Sequence, residues 1–287
     1  MNKSQEKKVI GIFGYPLGHS ISPIFQQAAL DNVGINARYE TWSVPPESFQ
    51  GFLEDIRMNN FIGANVTIPH KETVIGYLDE LDANAEKIGS VNTIVNRDGR
   101  LIGYNTDSYG FLRSIKRFYP RLDFSKKSAL VIGAGGAARA VIYSLLDKKI
   151  NSITIANRTI SRAKTLADEF NKEINVGTIG ISSIELRSAA INSSLIVNCS
   201  SVGMKNSDSE SLLLLDRSAI RSDCIVFDLV YNPVVTPLIQ LATDAGANVI
   251  GGLGMLVFQG AASFKLWTGQ CPPIDVMLEA AQNALAN

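Results

Sequence analysis

Short apolar runs, each followed by a segment with helical spacing, recur along the second half of the chain. They occupy six places, near residues 129–132, 152–156, 175–179, 194–198, 224–229 and 247–250. Continuous apolar runs of this length are typical of strands that are buried on both faces of a sheet. Because these strands alternate with helices, we predict a Rossmann-type, doubly wound parallel sheet in this part of the chain.

The first part of the chain has a more mixed pattern. Strands are predicted near 8–13, 37–44 and 61–68, and a hairpin is predicted from 91–95 through Arg97-Asp98-Gly99 to 101–104. Helices are predicted near 22–33, 46–59, 82–88 and 107–118, and another is predicted to open at Pro69-His70-Lys71. Ser22 precedes Pro23, so it is predicted to be the N-cap of the first helix.

A polar, proline-marked segment, residues 120–127, separates the two patterns. We therefore predict an α/β protein of two domains. An N-terminal α/β domain covers residues 1–119, and a Rossmann-type, doubly wound domain covers residues 120–254. Two further helices, within residues 255–287, are predicted to pack back on the first domain.

Composition excludes several classes of protein. The 287 residues carry 27 basic and 27 acidic side chains, so no basic field favours nucleic acid. No apolar run is long enough to span a membrane, and the polar N-terminus is unlike a signal peptide. Three widely spaced cysteines favour a reducing cytoplasm, and the presence of only two histidines argues against a histidine-rich metal site. We expect a monomer or homodimer that binds small molecules.

A glycine-rich turn follows the first strand of the second domain. Gly133, Gly135 and Ala138 have the spacing G-x-G-x-x-A between a predicted strand and a predicted helix. In that context the glycines allow a tight turn and a close approach of the backbone to a pyrophosphate. The candidate cofactor-binding residues are Gly133, Ala134, Gly135, Gly136, Ala137 and Ala138.

The end of the next strand indicates which dinucleotide is bound. It reads Asn157-Arg158-Thr159, without the carboxylate that usually binds the ribose hydroxyls of NAD. Arg158 would attract a 2′-phosphate, and Arg162, one helical turn on, can face the same way. We therefore predict NADP as the cofactor, although both arginines could instead be solvated surface charges.

Polar side chains of the first domain cluster where strands end and helices begin. The set comprises Ser20, Ser22, Asn65, Thr67, Lys71, Asn92, Asn105, Thr106 and Asp107. Ligands bind at this edge in α/β sheets. Structural explanations stay open for several of them: Ser22 and Asp107 could be helix caps, and Lys71 could be merely solvated. His70 could be a packed histidine.

Eight ordered motifs, spread over residues 14–259, resemble those of the shikimate dehydrogenase family. They are GYPLGHSISP from Gly14, GANVTIPHK from Gly63, GSVNT from Gly89, GYNTD from Gly103, GAGGAAR from Gly133, NRT from Asn157, DLVYNP from Asp228, and GML from Gly254 with Gln259. The resemblance implies reversible reduction of 3-dehydroshikimate to shikimate by NADPH, in aromatic amino-acid biosynthesis.

The resemblance also implies residue roles. Lys71 and Asp107 match the family's catalytic pair, and Ser20 and Ser22 match hydroxyls that hold the substrate carboxylate. Other residues that match or accompany the family's substrate-binding groups are Asn65, Thr67, Asn92, Tyr231 and Gln259. Matches to the NADP site include Asn157, Arg158 and Thr159, with Met204, Gly254 and Met255 as further cofactor candidates.

The motifs depart from the family pattern in the first helix, where Gln26 and Gln27 replace a usual His-Asn pair, and at Cys199. The alternatives are a quinate or quinate/shikimate dehydrogenase of the same family, an enzyme acting on an amino analogue, or a non-catalytic NADP-binding sensor. A sensor would have no need of Lys71 beside Asp107.

Overall fold

A computed structural model describes residues 7–18, 20–58, 60–170, 174, 176–181 and 184–286. The predicted polar N-terminus, residues 1–6, and the first residue of the predicted strand 175–179 lie outside this described part. The chain divides into two compact units, Met1–Gly110 with Val257–Asn287, and Phe111–Leu256. The domain boundaries after residues 119 and 254 stay predictions.

The first unit contains a mixed, six-stranded sheet in the order β2-β1-β3-β5-β6-β4. β1 pairs in parallel with β2 and β3, whereas β5 is antiparallel to β3 and β6. The strands are β1 Lys8–Gly14, β2 Ala37–Ser43, β3 Phe61–Val66, β4 Glu80–Leu81, β5 Thr93–Arg97 and β6 Arg100–Tyr104. The short strand β4 is absent from the sequence prediction, because two residues are too few to show a period.

The predicted hairpin is confirmed. β5 and β6 are joined by Asp98 and Gly99, whose φ angles of 53° and 87° are the positive values of a type I′ turn. Asp-Gly is among the preferred sequences for that turn, because Gly tolerates positive φ and Asp tolerates it better than most residues. The turn therefore fixes the register that brings Thr93 opposite Tyr104.

Helices of the first unit follow the prediction with two corrections. They are α1 Ser22–Asn32, α2 Phe49–Ile56 and α3 Ala83–Ile88, with α4 Asp107–Phe118 passing into the second unit. The segment predicted as one helix from Pro46 begins as a 3₁₀ turn, Pro46–Ser48. The helix predicted to open at Pro69 is instead a turn, followed by a 3₁₀ helix over Thr73–Tyr77.

Ser22 is not the N-cap of α1, contrary to the sequence prediction. The cap position belongs to Ile21, no side chain caps the helix, and Ser22 is the first helical residue. The Ser22 backbone N–H is instead accepted by the Ser20 hydroxyl at 3.3 Å. The prediction was wrong by one residue. Ser and Pro suit the N-cap and the first helical position as well as the first two helical positions that they occupy here.

The second unit contains the predicted doubly wound sheet. All six strands are parallel, in the order β12-β11-β10-β7-β8-β9. Their bounds are β7 Ser128–Ile132, β8 Ser152–Asn157, β9 Val176–Gly180, β10 Leu195–Asn198, β11 Ile225–Asp228 and β12 Asn248–Ile250. The order reverses between β7 and β10, and ligands bind at such a switch point in open α/β sheets.

Apolar side chains cover both faces of this sheet, as the continuous apolar runs predict. Val131 and Ile153 lie in one core cluster, whereas Leu130 and Ile132 lie in the other. The helices of the unit are α5 Gly136–Asp147, α6 Ile160–Phe170, α7 Ile184–Ile191 and α8 Pro237–Asp244.

The last two helices are α9 Gly252–Thr268 and α10 Ile274–Ala286. α9 starts three residues before its predicted position. α10 packs against α1, within the first unit. No helix in the described part of the chain has both the length and the apolar character needed to cross a membrane.

Candidate active site

Lys71 and Asp107 form an ion pair in the first unit. Lys71 lies in the turn after β3, and Asp107 begins α4. The Lys71 Nζ atom is 2.5 Å from Asp107 Oδ2, and the two side chains are 16% and 6% exposed. A charge-assisted hydrogen bond with so little water around it is stronger than a surface pair. Lys71 is therefore not merely solvated.

Asn105, rather than Asp107, accepts hydrogen bonds from the backbone N–H groups at the start of α4. Its Oδ1 accepts from the backbone N–H groups of Asp107 and Ser108 at 3.0 and 3.4 Å. The capping explanation for Asp107 is thereby excluded, and the Asp107 carboxylate is directed to side chains instead. The first turn of α4 also suits a carboxylate, because the positive end of the helix dipole lies there.

The Asn92 amide connects this pair to α9. Its Nδ2 donates to Asp107 Oδ1 at 2.8 Å and lies 3.0 Å from Gln259 Oε1. Its Oδ1 accepts from the backbone N–H of Thr106 at 2.7 Å. The fold thus brings together Lys71, Asp107, Asn92 and Gln259, four of the residues predicted from the sequence.

Beneath Asn92 lies a buried layer of hydroxyl and amide groups. The Asn65 Nδ2 donates to Thr93 Oγ1 and Ser263 Oγ, at 3.2 and 3.1 Å, and its Oδ1 accepts from the Tyr39 hydroxyl at 2.7 Å. Burial raises the pKa of Tyr39 well above its usual value, so this phenol stays a hydrogen-bond donor.

Tyr39, Thr93 and Ser263 are absent from the residues predicted as functional. One signal could have found Ser263, since it lies four residues after Gln259 in a helical segment and therefore on the same face. No local signal identifies Tyr39 or Thr93, because their partners come from other strands and from α9.

Ser20, Ser22 and Thr67 lie elsewhere in the first unit. Ser22 is buried at the start of α1, with Ser20 half-buried just before it. Thr67 is half-buried, follows β3 directly, and donates its backbone N–H to Phe13 O at 2.9 Å. Two hydroxyls at a helix start, where the positive end of the helix dipole lies, suit a carboxylate ligand.

His70 is a packed side chain. Its ring stacks on Phe49, with centroids 4.7 Å apart, and its Nε2 lies 2.6 Å from the carbonyl oxygen of Val44. The structural explanation for this histidine therefore holds.

The two glutamines that depart from the family pattern both form hydrogen bonds with other elements of the first unit. Gln26 is buried, and its Nε2 donates to Gly260 O on α9 at 3.0 Å. Gln27 Oε1 accepts from the Tyr39 backbone N–H at 2.9 Å. Both side chains therefore tie α1 to neighbouring elements.

In the second unit, the glycine turn has the geometry of a dinucleotide site. Gly133 has a φ of 113°, and a Cβ there would lie 3.1 Å from the backbone carbon of Cys199. A Cβ at Gly135 would meet no atom within 4 Å, so the backbone is open there to a ligand. Ala138 is fully buried against the sheet, as helix–strand packing requires.

The start of α5 suits an anion. It begins at Gly136, and its first turn carries no acidic side chain. The backbone N–H groups and the helix dipole there are therefore available to a pyrophosphate. With Gly133 and Gly135, the residues present fit a dinucleotide.

The segment after β8 presents two cations. Arg158 and Arg162 are exposed, and neither pairs with a carboxylate in the part of the chain that the structure describes. Asn157 Nδ2 donates to Thr159 O at 2.9 Å, which shapes the turn that carries Arg158. Two exposed guanidinium groups in place of a carboxylate fit a 2′-phosphate.

The other candidates of the second unit differ in exposure. Met204 is exposed in the loop after β10, and Tyr231 is half-buried after β11. Gly254 lies in the first turn of α9, whereas Met255 is 6% exposed and packs in the core. The described residues include no group of three or more His, Cys, Asp or Glu that could hold a metal ion.

Asp228, at the end of β11, is a buried acid without a cationic partner among the described residues. Its oxygens accept from Asn198 Nδ2, the Val230 N–H and the Thr236 hydroxyl, at 2.9, 3.0 and 2.6 Å. Burial raises the pKa of Asp228, and these three hydrogen bonds oppose that effect. The carboxyl thereby ties the end of β10 to the segment after β11.

Three family models match the chain in order. They are a shikimate dehydrogenase substrate-binding domain over residues 12–94, a shikimate/quinate 5-dehydrogenase domain over 115–225, and a shikimate 5′-dehydrogenase C-terminal domain over 252–282. Shikimate dehydrogenase (NADP⁺) of Methanopyrus kandleri is 42% identical over 281 residues, which cover 96% of this chain and 95% of that protein.

Solved structures agree with these matches. A crystal structure of a shikimate dehydrogenase in complex with NADP⁺ is 38% identical, with a TM-score of 0.89 over 98% of this chain and 96% of that one. Shikimate 5-dehydrogenase of Thermus thermophilus, in complex with NADP(H) and shikimate, is 36% identical, with a TM-score of 0.85 over 97% and 100%.

Proposed function

Because the chain belongs to the shikimate dehydrogenase family, we propose that it catalyses the reversible, NADP-dependent reduction of 3-dehydroshikimate to shikimate. The observation that carries the proposal is the largely buried Lys71–Asp107 pair, in which Lys71 donates to Asp107 and Asp107 also accepts from Asn92. A binding protein without catalysis would have no use for a cation and a carboxylate placed in this way.

Lys71 and Asp107 supply the acid–base chemistry of this reaction. NADPH, when bound, supplies the hydride for the carbon of the ring carbonyl. The carbonyl oxygen then gains negative charge and takes a proton, and the Lys71 ammonium provides both the compensating charge and the proton. A positioned group of this kind is worth about 10²–10⁴ in rate. Asp107 orients the ammonium, and Asn92 in turn holds Asp107.

The remaining polar groups of the first unit bind the substrate in this proposal. Ser20 and Ser22 hold the carboxylate at the start of α1. Thr67, Asn92 and Gln259 hold the ring oxygens, with Asn65 supporting them from the buried layer. Tyr231, in the second unit, is kept as a predicted substrate-binding residue.

The second unit binds NADP. The residues proposed to hold the pyrophosphate are Gly133, Ala134, Gly135, Gly136, Ala137 and Ala138. Asn157, Arg158, Thr159 and Arg162 bind the 2′-phosphate end. Met204, Gly254 and Met255 are proposed to lie beside the nicotinamide. Met255 is buried in the core, so its proposed role is to shape this part of the site by packing.

The proposed setting follows from the same family. The reaction belongs to aromatic amino-acid biosynthesis, and we place it in the cytoplasm, where Cys199, Cys224 and Cys271, which form no disulfide bonds, stay reduced. The active species is proposed to be a monomer or a homodimer, which equilibrium sedimentation would distinguish.

One spectrophotometric series tests the function. Absorbance at the NADPH wavelength is followed with NADP and shikimate, with NADP and quinate, and with NAD and each substrate. We expect the fastest rise with NADP and shikimate, and a rise lower by at least ~10²-fold in the Lys71→Met variant. A faster rise with quinate would favour the quinate enzyme, and no rise with any pair would favour the sensor.

A further inference from the structure

Three hydroxyl groups form a closed cluster beneath Asn92. Thr93 Oγ1 lies 2.7 Å from Ser263 Oγ, and Thr106 Oγ1 lies 3.1 Å from Ser263 and 3.4 Å from Thr93. The side chains come from β5, from the start of α4 and from α9, and Thr93 and Ser263 are fully buried. Buried polar groups that satisfy one another in this way restrict the fold to one arrangement.

The cluster receives hydrogens from one side. Asn65 Oδ1 accepts from the Tyr39 hydroxyl, so the Nδ2 of Asn65 faces Thr93 and Ser263. The Ser263 hydroxyl donates to the main-chain oxygen of Gln259 at 3.0 Å. The Ser263 hydrogen is thereby used, so Thr93 is the donor in its 2.7 Å bond to Ser263 Oγ, which is shorter than its contacts with Asn92 Oδ1 at 3.1 Å and Thr106 Oγ1 at 3.4 Å.

The other side of the cluster fixes the orientation of an amide. The backbone N–H of Thr106 can only donate, so the atom of Asn92 that faces it at 2.7 Å is the oxygen. The Asn92 Nδ2 must then face Asp107 Oδ1 and Gln259. Since Nδ2 is a donor, the atom of Gln259 that meets it is Oε1.

We propose that Thr93 and Ser263 are positioning residues for the reaction. Thr93 donates to Ser263, and Ser263 donates to the main chain at Gln259, so the two hydroxyls hold Gln259 in place. The side chain of Gln259 meets the Asn92 amide, which in turn holds Asp107. The Gln259 Oε1 is thus turned inward. This inference rests on the function proposed above.

The competing explanation is that these hydroxyls only fill the core. The two explanations predict different kinetics, because a filling residue changes the stability without changing the constants of the folded enzyme. A positioning residue changes the substrate constants and leaves those of NADP alone, since the cluster lies within the first unit.

Thr93 allows a clean separation of hydroxyl from volume. Thr93→Val removes the hydroxyl and keeps the shape, whereas Thr93→Ser keeps the hydroxyl and removes a methyl group. We expect Thr93→Val to lower kcat/KM for shikimate about tenfold, the loss typical of one buried hydrogen bond, with the KM for NADP unchanged. Thr93→Ser is expected to stay within about twofold of wild type.

Ser263 provides the second variant and the control. Ser263→Ala is expected to lower the same constant by a similar factor. The double variant Thr93→Val/Ser263→Ala is expected to fall less than the product of the two single losses, because both remove the same hydrogen bond. Thr268→Ala is the matched control, since Thr268 makes the same bond to the fourth preceding carbonyl on α9.

Steady-state kinetics with melting temperatures test the inference. Wild-type constants in Thr93→Val would overturn it, as would equal losses in Thr93→Val and Thr93→Ser, which would indicate packing. Strictly multiplicative losses in the double variant would also overturn it. A wild-type protein that does not oxidise shikimate would instead overturn the proposed function. The activity of the wild-type protein is therefore measured before any variant is compared with it.

Discussion

Replacing Lys71 by Met tests how much the Lys71–Asp107 ion pair contributes to the free energy of unfolding. The substitution keeps the length of the side chain and removes its charge. Asp107 accepts from two side chains, Lys71 and Asn92, and would then keep only the bond from Asn92 Nδ2 at 2.8 Å. It would still lie in the first turn of α4, near the positive end of the helix dipole. Its carboxylate, 6% exposed, would have lost its counter-charge.

The size of the effect follows from this burial. Removing one partner of a fully buried pair costs about 3–5 kcal/mol, because the other charge is left uncompensated. The 16% exposure of Lys71 indicates that water reaches this end of the pair, and Asn92 stays in place. We therefore expect a loss of about 2 kcal/mol in the free energy of unfolding. At a slope of about 2 kcal/mol per molar urea, the midpoint falls by about 1 M.

Urea denaturation followed by circular dichroism measures this loss, and initial rates measure catalysis on the same samples. The double variant Lys71→Met/Asp107→Asn serves as the control, because it removes the uncompensated charge. It is expected to recover most of the stability and none of the rate. An unchanged midpoint in Lys71→Met would refute the reasoning, since it would mean that the pair behaves as a solvated surface pair.

Three further predictions concern other parts of the molecule. Arg158→Ala should weaken NADP binding and leave NAD binding nearly unchanged, so the preference for NADP falls; an unchanged preference would exclude the 2′-phosphate role. Ser22→Ala should raise the KM for shikimate with little change in kcat, because it removes the proposed ground-state contact to the carboxylate; equal losses in both would argue for a structural role. Asp228 has a raised pKa, so the folded state holds its proton more tightly than the unfolded state, and stability falls as the pH rises from 3.8 through the folded value. Asp228→Asn should remove that fall, so its urea midpoint relative to wild type rises as the pH increases above 3.8; a constant difference would contradict the raised pKa.

Several features could be predicted because their causes are local. The six parallel strands follow from continuous apolar runs, and the β5–β6 hairpin follows from Asp98-Gly99, whose backbone preferences suit a type I′ turn. The glycine turn at Gly133 also has a local cause, since its φ of 113° favours a residue without a side chain.

Other predictions failed or stayed open because competing local signals were equally good. Ser22 and Pro23 fit two neighbouring positions of a helix start, and the structure places Ser22 inside the helix. Asp107 has the chemistry of a cap, but Asn105 takes that part. The segment after Pro69 has a helical composition, yet it forms a turn and a 3₁₀ helix. Lys71 therefore lies in a turn rather than in a helix.

The sequence by itself determined the α/β class, the dinucleotide turn and the candidate list, because period, turn chemistry and spacing are properties of neighbouring residues. Tertiary structure alone decided which candidates meet. Thr93 and Ser263 are 170 residues apart and share a 2.7 Å hydrogen bond, and Asn92 reaches Gln259 across 167. Such contacts depend on which faces of distant elements are buried together, and no local preference of either residue contains that information.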